Sequence, residues 1–160
     1  MKEVKKCVFA GTFDPPTLGH KNIIETCANL FDEVVVAIMV NPDKTPCFTV
    51  EQRKEMLALD TANLPVRIVD FLGTAAELLA KEGTKTYVRG IRNGIDLDYE
   101  NANFYASRKL DKDITAVYIP CPQELLHVSS SLVRNSLKFG TPIDEYVSEE
   151  VKRYIQTIKE

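Results

Sequence analysis

Apolar positions fall into five short runs separated by longer stretches of mixed polarity. The runs are Lys6–Ala10 (KCVFA), Glu33–Val40 (EVVVAIMV), Val66–Phe71 (VRIVDF), Thr86–Val88 and Ile114–Ile119 (ITAVYI). They are rich in β-branched residues, and the second shows little polar–apolar alternation, which suits strands covered on both faces. Between them the spacing changes. Ile23, Ile24, Cys27, Ala28 and Phe31 recur at helical intervals, so a helix starts near Thr17. Further helices are predicted over 50–62, where Thr49-x-x-Gln52 reads as a capping box, and over 74–83 and 94–109. Two more, at 130–138 and 148–158, close the chain. The last carries Val147, Val151, Tyr154, Ile155 and Ile158 on one face, which is expected to pack against the sheet or another subunit. Strand and helix alternate throughout. The expected fold is therefore α/β, a single-domain, doubly wound, parallel five-stranded sheet with right-handed crossovers and C-terminal helices.

Composition narrows this little. At 160 residues the chain predicts one domain, spanning 1–160, and 44% apolar with 27% charged residues is ordinary for a soluble globule. A net charge of −3 argues against nucleic acid as a bulk partner. No apolar run approaches membrane length, and no signal-peptide core precedes the first strand, so the expected location is the cytoplasm. Cys7, Cys27, Cys47 and Cys121 are widely spaced without a C-x-x-C, which argues against a metal site or disulfide. Cys7 and Cys27 are expected as small core residues.

The candidate chemistry lies where the runs end. Gly11-Thr12-Phe13-Asp14-Pro15-Pro16-Thr17-Leu18-Gly19-His20 sits between the first strand and the first helix. Small residues, a hydroxyl and an imidazole at a helix N-terminus make a natural phosphate site. Thr17 is expected to cap the helix, with His20 about one turn inside it. After Val88 come Arg89, Gly90, Ile91 and Arg92, two arginines three apart that suit phosphate oxygens. Asp96, Tyr99, Glu100 and Asn103 then share one helical stripe, either a solvated face or a wall that orients the arginines or a ribose. Lys44 lies in a loop stiffened by Pro42 and Pro46. Ser129, Ser130 and Ser131 open a helix and offer free N–H groups, with Arg134 one turn on. His127 has no evident partner and reads as structural or exposed.

The segment Gly11–His20 resembles the H-x-G-H signature of the nucleotidyltransferase superfamily, with Thr17 where the first His of the signature stands. From end to end the chain resembles the bacterial phosphopantetheine adenylyltransferases. It carries G-T-F-D-P-x-T-x-G-H as Gly11–His20, P-x-K-x-P-x-F as Pro42–Phe48, R-G-x-R-x-x-x-D-x-x-Y-E as Arg89–Glu100 and S-S-S-x-V-[KR] as Ser129–Arg134. The third of these is the specific one. The resemblance implies a Rossmann-like nucleotidyltransferase fold. It also implies that ATP and 4′-phosphopantetheine become dephospho-coenzyme A and pyrophosphate, with Mg²⁺ bound mainly through the ATP phosphates and no protein metal ligand. Thr12, Phe13, His20, Gly90, Ile91, Arg92 and Glu100 match ATP contacts, as do Leu125, Leu126, His127, Val128, Ser129, Ser130 and Ser131. Thr12, Lys44, Ala75 and Arg89 match contacts to phosphopantetheine. His20 matches the transition-state stabiliser, and Thr12, Lys44 and Arg92 are expected to complete the catalytic set by holding the reacting phosphates. A homohexamer, a dimer of trimers, and feedback inhibition by coenzyme A are implied as well. Two positions depart from common members: Leu125 stands where an aromatic residue is frequent, and Leu72–Ala76 is smaller than usual. Rival expectations are a nicotinate-mononucleotide adenylyltransferase, a cytidylyltransferase, and a non-catalytic coenzyme- or nucleotide-binding regulator on the same fold.

Overall fold

Successive residues of the first strand bury on opposite faces of a sheet, and that alternation organises the core. In the computed structural model, which describes residues 3–159, Cys7 and Phe9 enter one hydrophobic layer and Val8 and Ala10 the other. The same pleat sends Val34, Val36 and Ile38 to the first layer and Val35 and Ala37 to the second. In these two strands neither face meets water, which explains their unbroken apolar runs.

The strands are β1 (Lys6–Gly11), β2 (Glu33–Met39), β3 (Val66–Phe71), β4 (Thr86–Ile91) and β5 (Thr115–Pro120). All pair in parallel in the order β3-β2-β1-β4-β5. The helices are α1 (Leu18–Leu30), α2 (Val50–Asp60), α3 (Ala75–Glu82), α4 (Gly94–Leu110), α5 (Ser130–Phe139) and α6 (Glu149–Ile158). Ile23, Ile24 and Cys27 of α1 and Leu57 of α2 cover one face of the sheet. Ala76, Leu78 and Leu79 of α3 cover the other, with Phe104 of α4 against them. The strand order reverses between β1 and β4, so a crevice opens where their carboxyl ends diverge.

Two expectations change in detail. The fourth strand does not end at Val88: Arg89, Gly90 and Ile91 continue β4, opposite Tyr118, Ile119 and Pro120. Helix α6 packs on α2 and α5 rather than on the sheet. Its apolar face joins Phe48, Met56, Val133, Ile143 and Val147 in a third cluster formed with α2 and α5. That cluster joins Phe48 of the β2–α2 connection to α5.

Candidate active site

The residues Gly11–Thr17 form a tight turn between β1 and α1. Phe13 adopts φ +53°, a left-handed conformation that costs a bulky residue energy, and the Asp14–Pro15 peptide is cis. The turn holds because the Phe13 ring is buried. It folds beneath Gly11, where a Cβ would stand 3.2 Å from its Cζ, and meets His20 edge-on with centroids 4.9 Å apart. Phe13, matched above to an ATP contact, thus faces the cavity around it from below.

Helix α1 begins with a reciprocal cap. Thr17 Oγ1 accepts the His20 N–H, and the Thr17 N–H donates to His20 Nδ1 at 3.0 Å. With Nδ1 occupied as an acceptor, the ring proton resides on Nε2, which is left to face the cavity. Burial, and then the charges of Arg89 and Arg92, depress the His20 pKa from 6.5 to about 4. His20 is therefore a neutral imidazole at pH 7. It can donate a hydrogen bond but carries no charge.

A cavity of about 390 Å³ lies over this turn, in the crevice between β1 and β4. Of the sequence-predicted residues it is lined by Thr12, Phe13, His20, Arg89, Gly90, Arg92, Glu100, Val128, Ser129 and Ser130. Gly90 lets α1 approach β4, because a Cβ there would come within 3.2 Å of Ile23 Cγ1. Arg92 is half-exposed, with its backbone N–H and Nε held by Asp96 Oδ2 at 3.0 and 3.2 Å. Its remaining donors are available to an anion.

Arg89 differs from expectation. As part of β4 it turns inward, where Nε and Nη2 donate to the two carboxylate oxygens of Glu100, each at 2.8 Å. Nη1 donates to the Ala10 carbonyl at 2.6 Å. Its fork is therefore occupied, and Arg89 serves the cavity as a fixed buried cation. Tyr87 and Glu100 outweigh the cost of burial and push its pKa up. Glu100, the one buried residue of α4, is the orienting wall that the helical stripe suggested.

The serine-rich turn also holds its hydroxyls for the protein. Ser129 Oγ caps α5 by accepting the Leu132 N–H, and Ser130 Oγ donates to the Pro15 carbonyl at 2.7 Å. Arg134 donates to Ser131 Oγ and to the Asp14 carbonyl, so it ties α5 to the first turn rather than waiting for an anion. What α5 presents to the cavity is its positive N-terminal end.

Lys44, Ala75, Ile91, Leu125, Leu126, His127 and Ser131 do not line this cavity. Lys44 is exposed in the β2–α2 connection and forms no ion pair among the described residues. Ala75 is the first residue of α3, beyond β3. Leu125 ends a short 3₁₀ turn, and His127 is exposed, edge-on to Tyr146 with centroids 6.0 Å apart.

Sequence reading passed over two residues that hold the site together. The Asp14 carboxylate accepts the Cys47 and Phe48 N–H groups, both at 2.8 Å, and so fastens the Lys44 loop to the first turn. Arg53 of α2 is buried and donates to the Thr12 carbonyl at 3.0 Å. A signal existed for the second: Arg53 shares the helical stripe of Met56, Leu57 and Asp60, where an apolar residue is the norm.

A parallel α/β sheet of this order, with a Thr-x-Gly-His turn at the crevice, is the architecture of a nucleotidyltransferase. A family model described as cytidylyltransferase-like matches residues 8–136. The chain belongs to that family and, within it, to the phosphopantetheine adenylyltransferases. It is 41% identical over 143 residues to the phosphopantetheine adenylyltransferase of Symbiobacterium thermophilum, a match that covers 89% of this chain and 88% of the relative. It is 38% identical over 147 residues to that of a Synechococcus species, covering 91% and 92%. Among solved structures, the Plasmodium falciparum nicotinic acid mononucleotide adenylyltransferase complexed with NaAD superposes with a TM-score of 0.75. That match covers 98% of this chain and 96% of the other at 18% identity, and it speaks for the fold alone.

Proposed function

We propose that this chain transfers the adenylyl group of ATP to 4′-phosphopantetheine, giving dephospho-coenzyme A and pyrophosphate. The observation that carries the reading is the neutral His20, with Nε2–H facing a cavity bounded by Thr12, Arg92 and the start of α5. Relatives of that name at up to 41% identity support the choice of acceptor.

The acceptor phosphate is itself the nucleophile. Its second pKa is about 6, so it is largely dianionic at pH 7 and needs no general base. One of its oxygens attacks the α-phosphorus, a new P–O bond forms, the α–β bridging bond breaks, and pyrophosphate departs. The protein has only to align crowded anions and offset their charge. His20 Nε2–H and the Thr12 hydroxyl donate to α-phosphate oxygens as charge builds in the pentavalent state. Arg92 and the N-terminal end of α5 hold the triphosphate. Lys44 and the buried charge of Arg89 receive the acceptor phosphate, and Ala75 borders its pantetheine arm. Gly90, Ile91 and the Leu125–Ser131 segment frame the nucleotide, with apolar packing by Leu125 where relatives stack an aromatic ring.

When bound together with ATP, Mg²⁺ would supply charge neutralisation at the phosphates. The carboxylates at the site fit that arrangement, since Asp14, Asp96 and Glu100 are engaged by backbone N–H groups, Arg92 and Arg89 respectively. No group of three metal-ligating side chains gathers among the described residues.

A homohexamer is part of the proposal, and α4 supports it. Ile95, Tyr99, Tyr105 and Leu110 stand 63–80% exposed on that helix, more apolar surface than a free helix normally shows water. Sedimentation should therefore show an oligomer. Among the described residues no helix is long and apolar enough to cross a membrane, and a cytoplasmic location is part of the proposal. Coenzyme A, which contains the product's structure, is the proposed feedback inhibitor.

An acceptor panel tests the reaction. With ATP, 4′-phosphopantetheine should release pyrophosphate and nicotinate mononucleotide should not. CTP should not replace ATP. Turnover with the mononucleotide alone would overturn the assignment, and coenzyme A binding without turnover would favour a regulator.

A further inference from the structure

Arg53 is a charged residue at a core position, and the proposed reaction leaves it without a role. It is 3% exposed and pairs with no carboxylate among the described residues. Nε donates to the Thr49 carbonyl, which belongs to the start of its own helix, and Nη1 donates across to the Thr12 carbonyl at 3.0 Å. Burying a guanidinium against two neutral acceptors is costly, and a Leu or Met would fill the same stripe without that cost. The position of the second acceptor suggests what is gained. The Thr12 carbonyl belongs to the peptide that leads into Phe13, the residue held at φ +53°. The same peptide's N–H, on Phe13, has no acceptor among the described residues, and both residues line the cavity. Hydrogen bonding of a cation to a peptide oxygen draws charge toward it and makes the N–H on the other side a better donor. It also fixes the plane of that peptide, and with it the direction of the Thr12 side chain.

We propose that Arg53 is a positioning residue for phosphoryl chemistry, acting through the Thr12–Phe13 peptide. It locks the strained turn and aims the Phe13 N–H and the Thr12 hydroxyl at a bound phosphate. The inference rests on the adenylyl-transfer reading for its effect on turnover, but not for its effect on nucleotide affinity.

The test compares Arg53→Met, Arg53→Lys, Thr12→Ala and the Arg53→Met/Thr12→Ala pair, with Gln52→Ala as a control. Gln52 belongs to the cap of the same helix and lies on its outer side. Arg53→Met should lower kcat by about tenfold or more, as for misplaced donors, and should weaken ATP binding by about fivefold in calorimetry, the loss of roughly 1 kcal/mol. Arg53→Lys should recover part of both. The double variant should lose less kcat than the two single losses combined, because part of the effect of Arg53 passes through the Thr12 hydroxyl. Gln52→Ala should lower Tm with kcat unchanged. Additive losses in the double variant would overturn the proposal, as would an Arg53→Met enzyme that loses only Tm. If Arg53→Met does not fold, Arg53→Lys decides: normal kcat and ATP affinity would sink the idea. Wild-type protein that binds ATP without consuming phosphopantetheine would defeat the proposed reaction, leaving the inference to stand or fall on ATP affinity.

Discussion

Thr17 and His20 cap one another: the Thr17 N–H donates to His20 Nδ1 at 3.0 Å while Thr17 Oγ1 accepts the His20 N–H. The imidazole takes the place that Glu or Gln fills in the usual capping box. A helix cap thereby sets the tautomer of the residue at the centre of the site. The arrangement also explains how Thr can stand in the first position of the signature.

The imidazole should titrate far below its ordinary range. The chain has two histidines, so NMR of the wild type and of His127→Ala assigns both. His20 is expected to protonate near pH 4, with the Nε2–H tautomer above that. Because the folded pKa lies below the unfolded 6.5, this residue contributes stability above pH 6.5 that is lost as pH falls toward 4. Titration near 6.5 in the folded protein would contradict the buried, neutral donor.

Thr17→Ala removes the Oγ1 acceptor and so loosens the helix start that aligns the backbone N–H with His20 Nδ1. It should cost about 1 kcal/mol of stability, the usual loss for an N-cap. It should also lower kcat several-fold below Tm, whereas Thr17→Ser should retain both. Thermal melts and steady-state rates check this together.

Asp14→Asn tests the fastening of the Lys44 loop. An amide keeps one acceptor for the Cys47 and Phe48 N–H groups but loses the charge and the second acceptor. A lost charge-assisted hydrogen bond is worth about 1.5–3 kcal/mol. The expected outcome is a higher KM for phosphopantetheine, with ATP affinity changed much less. Equal losses on both substrates would mean that the loop does not serve the acceptor side.

Away from the site, Asp60 is buried at the end of α2 and accepts a hydrogen bond from Ser148 Oγ at 2.5 Å. Burial raises its pKa from 3.8 to about 6. The sign follows: the fold favours the protonated form, so this residue's contribution improves as pH falls through 6 and is a cost above it. Asp60→Asn should therefore raise stability at pH 8 by about 1–3 kcal/mol, with the gain shrinking toward pH 5. Melts at the two pH values would show it, and an equal effect at both would refute the buried ionised carboxylate.

The layout of the fold was legible because both faces of the sheet are covered, so strand runs stand out as apolar blocks between capped helices. The end of β4 was not, since Arg89-Gly90-Ile91-Arg92 has the composition of a loop. It remains a strand because β5 pairs with it and Gly90 makes room for Ile23. The anion-suited residues were visible from charge and small-residue patterning. Which of them spend their donors on the protein was not. Arg89 on the Ala10 carbonyl and Arg134 on the Asp14 carbonyl are long-range contacts that only the fold brings together. Asp14 looked like one letter of a motif, and the charge of Arg53 on an otherwise core-facing stripe drew no notice.

The central claim is that a neutral His20 stabilises charge on the α-phosphate as adenylyl transfer proceeds. The measurement is pyrophosphate release from Mg·ATP and 4′-phosphopantetheine by His20→Ala, with ATP affinity measured on the same preparation. Loss of one such donor lowers kcat by about 10²–10³ or more, and ATP affinity should stay nearly unchanged. An unchanged kcat with a large loss of ATP binding would contradict the account.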